Sequence, residues 1–69
     1  MQELNNISVG AKIKAYLKDR GISQTWLANQ TGLGIKKIND IVNDSVKLTA
    51  VDLSYICKAL DVSADLFLN

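Results

Sequence analysis

The stretch Gly21–Asp44 reads GISQTWLANQTGLGIKKINDIVND, and its punctuation decides the fold. Ser23 has a side chain suited to accept a backbone N–H at a helix start, and it predicts a helix over Gln24–Thr31. Leu27 and Ala28 face inward on that helix. Gly32 then makes a sharp turn. A further helix is expected over Gly34–Val42, with Ile38, Ile41 and Val42 as its apolar stripe. Two helices joined by so few residues cross steeply and bury Leu27, Ala28, Leu33, Ile38 and Ile41. The small Ala28 lets the backbones approach. The arrangement is a helix-turn-helix, which holds its second helix proud of the surface.

Working outward, Ser8 caps a helix expected over Val9–Arg20, where Val9, Ile13, Tyr16 and Leu17 form one apolar stripe. Gly21 stops it. After a polar loop, Asn43–Leu48, Thr49 caps a fourth helix, and Asp52 three residues later resembles a capping box. Leu53, Ile56, Cys57 and Leu60 supply its buried face. Asp61 stands where glycine would stop a helix more easily, and aspartate tolerates the left-handed conformation better than most residues. Ser63 caps a last short helix ending in Phe67 and Leu68, both expected in the core. Residues 1–7 are polar and read as a loose, flexible arm. No strand signals and no internal repeat occur. The fold class is all-α: a compact bundle of five short helices in a single domain, 1–69.

Composition agrees. A chain of 69 residues allows one core and no second. With 48% apolar and 22% charged residues, general disorder is not expected. Proline is absent, so long stretches can stay helical. One cysteine, Cys57, and no histidine leave no internal disulfide and no zinc cluster. A buried, inert thiol is the preferred reading of Cys57 over a redox switch. The start of the chain has no basic segment leading into an apolar run, so no signal peptide is read, and no stretch is long enough to span a membrane. A reducing, cytoplasmic location is expected. Acidic residues stand singly, and the chain has no glycine-rich phosphate loop or nucleophile elbow. An enzyme is therefore not expected, nor a cofactor, nor a small-molecule substrate. Net charge is only +1, so binding to a polyanion would need the positive charge gathered on one face.

The quoted core resembles that of the phage-repressor/Cro-type (Xre-like) helix-turn-helix DNA-binding family. The ordered set Gly21, Ser23-Gln24, Leu27-Ala28, Gly32, Ile38 and Asn43 carries the resemblance. It continues through Ala59-Leu60, Val62-Ser63 and Asp65 in KALDVSADLFL, and covers about Val9 to Leu68. It implies a lambda-repressor-like domain that binds double-stranded DNA with its third helix in the major groove.

Helical geometry, about 100° per residue, picks out the residues that would do so. Ile35, Lys36, Asn39 and Asp40 face away from the core stripe, at positions where the family reads bases. Lysine donates to guanine O6 and N7, asparagine pairs with adenine, aspartate accepts from cytosine N4, and Ile35 offers an apolar contact, as to a thymine methyl. The competing reading of Ile35 is that it folds toward the core; that of Lys36 is an ordinary solvated lysine. Gln24 and Thr25 open the second helix, whose N–H groups form a natural anion site, and the family's equivalent glutamine binds a phosphate. Asn43 and Lys47 match family backbone-contact positions, and Lys37 can add to them. Trp26, at a position usually polar in relatives, sits at the edge of the core or helps at the DNA surface.

Three departures from the family pattern stand out. Gly34 replaces the usual capping serine or threonine, so a phosphate contact and some helix stability are expected to be lost. Relatives often carry arginine at the position of Leu17 and glutamate at that of Val42, a partly buried ion pair. Here both are apolar, a joint replacement that strands no charge. Asp44 replaces a glycine and adds negative charge near a phosphate. Weak intrinsic affinity is the implication. The reading is a sequence-specific, repressor-like transcriptional regulator of bacterial or phage type. It would act as a homodimer on a near-palindromic operator, dimerising through Leu66. The alternative is a degenerate helix-turn-helix that acts as a protein-interaction module.

Overall fold

The first helix has room for its capping residue because Ser8 is extended, at φ −74° and ψ 165°, and its hydroxyl accepts the N–H of Ala11 at 3.0 Å. The same device opens the second and fourth helices: Ser23 Oγ accepts from Trp26 N–H, and Thr49 Oγ accepts from Asp52 N–H. The computed structural model, which describes residues 8–68, is all-α. Helices α1 (Val9–Arg20), α2 (Gln24–Thr31), α3 (Ile35–Val42), α4 (Ala50–Leu60) and α5 (Asp65–Leu68) follow one another without a strand. The arm expected at 1–7 lies outside the described residues.

Three helices end in the same closed turn. At each, the residue in the left-handed conformation donates three residues back, and its successor donates five residues back. Gly21 and Ile22 do this for α1, Asp44 and Ser45 for α3, and Asp61 and Val62 for α4. Asp44 and Asp61 take φ of 59° and 58°, so aspartate fills two places where glycine is the easier choice.

The helices share one core. Ile13 and Leu17 of α1, Leu27 and Ala28 of α2, Ile38, Ile41 and Val42 of α3, and Leu53, Ile56 and Cys57 of α4 surround it. Each fully buried Ile or Leu contributes roughly 1.5–3 kcal/mol. Helix α2 packs on α3 and α4, and α1 packs on α3 and α5. Tyr16 meets Phe67 edge to face, ring centroids 5.6 Å apart, and the Arg20 guanidinium lies over the Tyr16 ring, 4.9 Å from its centroid.

Three expectations are corrected. Leu68 is 57% exposed rather than core. Successive helical residues point about 100° apart, so a four-residue helix on a packed surface drives one of them inward, and Phe67 occupies that place. The capping box at Thr49 is only half made, because the Asp52 carboxylate turns to Lys37 at 3.1 Å instead of serving its own helix. Helix α3 also starts one residue later than expected, with Gly34 outside it as N-cap.

Candidate nucleic-acid interface

Helix α3 presents two unlike sides. Ile38, Ile41 and Val42 are buried, while Ile35, Lys36 and Asn39 are exposed and Asp40 is partly so. Ile35, 49% exposed, does not fold into the core. Lys36 reaches Asp40 one turn on, at 3.3 Å, and its side chain remains 89% exposed against 27% for Asp40. A pair so open is held weakly, and either member can be drawn off by a stronger partner.

The start of α3 is bare. Gly34 takes φ 90° and ψ 150°, a conformation that side-chain-bearing residues avoid, and gives no side-chain cap. Gln24, partly buried, and Thr25, exposed, stand at the N-terminus of α2 behind the Ser23 cap. Lys36, Lys37 and Lys47 border one open recess between α3 and the segment leading into α4, together with Asp40 and Asp52. Positive charge is thus gathered beside α3 but interleaved with acid. Lys37 is half committed: its ammonium holds the buried Asp52 of α4, which fixes α3 against α4. The pair satisfies an acid that burial would otherwise penalise.

The other end of α3 is enclosed by α1. Gly10 is buried with no room for a side chain: a methyl group there would overlap the Ile41 carbonyl oxygen and approach Asp44 Oδ1 to 2.6 Å. Asp44 Oδ2 accepts from the Ser8 hydroxyl at 2.6 Å. The added negative charge therefore lies at the N-terminus of α1, where the helix dipole favours it. Lys14 Nζ donates to Asn43 Oδ1 at 3.1 Å, and Asn43 Nδ2 donates to Asn39 Oδ1 at 2.7 Å.

The sequence-selected residues Ile35, Lys36, Asn39 and Asp40 therefore share the uncovered side of α3, with Asn43 following them. Leu66 lies elsewhere, 49% exposed on α5 beside Tyr16 and Asp19 of α1. Lys14, Ser8 and Gly10 were not singled out as site residues. A glycine in the first turn of a helix is the one signal that could have found them, since it marks close approach of another backbone. Trp26 is half-exposed beside Gly21 and Ile22. Cys57 is a buried free thiol whose pKa burial pushes above its ordinary value, which keeps it protonated and unreactive near neutral pH. Among the described residues, no helix is long and apolar enough to cross a membrane, and no group of three or more His, Cys, Asp or Glu could hold a metal ion.

No curated protein and no solved structure matches the chain. A family model does: that of the Cro/C1-type HTH DNA-binding domain matches residues 12–67, which take in α2, α3, α4 and most of α1 and α5. The chain belongs to the Cro/C1-type HTH DNA-binding domain family.

Proposed function

We propose that this chain is a sequence-specific, repressor-like transcriptional regulator of bacterial or phage type, acting in the cytoplasm as a homodimer on a near-palindromic operator. The observation that carries the reading is the uncovered side of α3, where Ile35, Lys36, Asn39 and Asp40 face solvent in a family of DNA-binding domains. In the major groove Lys36 donates to guanine, Asp40 accepts from cytosine and Asn39 pairs with adenine. Gln24, Thr25, Gly34 through its backbone, Asn43 and Lys47 supply phosphate contacts that fix register. Lys37 adds one only by leaving Asp52. Two α3 helices in a symmetric dimer would address half-sites about 10 bp, or roughly 34 Å, apart.

The deciding experiment is titration with mixed-sequence DNA at low salt, followed by selection of a preferred site. Lys36→Ala relaxes preference at one base position and costs roughly 1–3 kcal/mol, whereas Lys47→Ala weakens all sequences alike and lowers the salt slope by about one. No binding at low salt overturns the reading in favour of a protein-interaction module. The Lys36–Asp40 pair, which occupies the lysine with an acid on the same side of α3, is the feature that favours that alternative.

The dimer contact is assigned to Leu66. It is exposed on α5 and apolar, and a two-fold interface uses the same patch on both partners. Exposed Leu68 on the same short helix extends the apolar area. Leu66→Asp leaves the monomer folded and abolishes self-association in sedimentation. A variant that dimerises like the parent puts the contact elsewhere.

A further inference from the structure

We propose that Lys14 of α1 is a positioning residue for base reading: through Asn43 it sets which way the Asn39 carboxamide faces. The inference rests on the DNA-binding reading of α3. A carboxamide can turn over, exchanging its acceptor oxygen for its donor nitrogen, and either orientation fills the same space. Which one is adopted depends on the partners. Lysine has donors and no acceptor. Its ammonium, 3.1 Å from Asn43, therefore selects the Asn43 oxygen. The Asn43 nitrogen is then directed at Asn39, 2.7 Å away, and a nitrogen that can only donate selects the Asn39 oxygen. Each choice forces the next.

The result is a defined presentation at Asn39. One lone pair of Oδ1 is used by Asn43, while the second lone pair and the N–H groups remain for a base. That remaining donor–acceptor pair is what adenine needs at N6 and N7. Without the lysine, Asn43 is free to turn over and Asn39 with it, and a residue that has to choose its orientation on the DNA discriminates less. Lys14 also stands one turn before Leu17 on α1, so a cation returns to the α1–α3 junction although none is present at Leu17 itself. It acts from the exposed rim, where it costs no burial.

The test compares the parent, Lys14→Met, Lys14→Arg, Asn39→Ala and the double variant Lys14→Met/Asn39→Ala on the selected site and on sites changed at each base pair. Lys14→Met reduces discrimination by at least about three-fold at the base position that Asn39→Ala also relaxes. It adds nothing at that position in the Asn39→Ala background, and Lys14→Arg restores discrimination. Uniform weakening of all sites with a salt slope lower by about one overturns the proposal and makes Lys14 a plain phosphate contact. A second measurement needs no DNA. In the free protein, the side-chain amide NMR signals of Asn39 move in Lys14→Met and return in Lys14→Arg. Unmoved Asn39 signals overturn the relay whether or not the chain binds DNA. Absence of DNA binding by the parent with moved signals defeats the functional reading and leaves the relay standing.

Discussion

The two ends of α3 are built in opposite ways. The N-terminal end starts at Gly34 with no side-chain cap and no acidic residue in its first turn, and its first residue, Ile35, is open to solvent. The C-terminal end closes on Asp44 and Ser45, receives the start of α1 against its backbone at Gly10, and is tied by Ser8, Lys14 and Asn43. The helix is tied to α1 at its C-terminal end, while at its N-terminal end the Lys37–Asp52 pair ties its inner side to α4 and its outward side stays bare. In helix-turn-helix proteins the N-terminal residues of this helix meet base edges. Bareness on that outward side keeps competing side chains away from the groove, and the restraints act from the inner side and the far end, where they do not obstruct.

Substitutions at three places break or sharpen that comparison. The largest effect is expected in the core beneath the held end, where Leu17 and Val42 are both buried. Leu17→Arg places an unpaired charge there and destabilises by about 4 kcal/mol; adding Val42→Glu recovers much of the loss. Urea unfolding of the two single variants and the double one measures the coupling, and stabilities that simply add would remove the idea that the two sites form one pair.

Next comes the contact itself. Gly10→Ala sets a methyl group on the Ile41 carbonyl oxygen and against Asp44, and a backbone atom cannot turn aside as a side chain does. The loss is about 3 kcal/mol, read from the same unfolding curves. The smallest effect belongs to the bare end. Gly34 has nothing within 4 Å of an added methyl group, so Gly34→Ala incurs only the conformational penalty of φ 90° with ψ 150°, about 2 kcal/mol. If Gly34→Ala proves the more damaging of the two glycine changes, the contrast between the ends is wrong.

Much of this architecture was legible in the residues. Ser8, Ser23 and Thr49 announce helix starts because each is a short hydroxyl just before an apolar period, and the structure uses all three as caps. Asp61 could be read as a helix stop from its tolerance of the left-handed conformation. The outward side of α3 followed from helical angles alone. What stayed hidden depends on pairs distant in the chain. Asp52 looks like a local capping residue, and only the arrival of Lys37 from α3 makes it an inter-helix partner. Asp44 reads as unwelcome charge until Ser8, 36 positions away, is found against it. Leu68 looks as apolar as Phe67, and only the angle at which α5 meets α1 decides which of them is inside.

The Tyr16–Phe67 contact has a consequence for how the chain orders itself. Helices α2 and α3 are neighbours in sequence, so their packing closes a short loop and can form early. Docking of α5 on α1 joins residues near opposite ends of the described chain, and it secures a helix of four residues. Such a closure is the natural first step of local opening, on a smaller free energy than global unfolding, and amide hydrogen exchange would report it in α5 first. If Leu66 mediates assembly, the surface that pairs two copies lies on the segment that opens most easily. Association would then draw its free energy partly from a monomer that must first be shut, and each copy would steady the other's last turn.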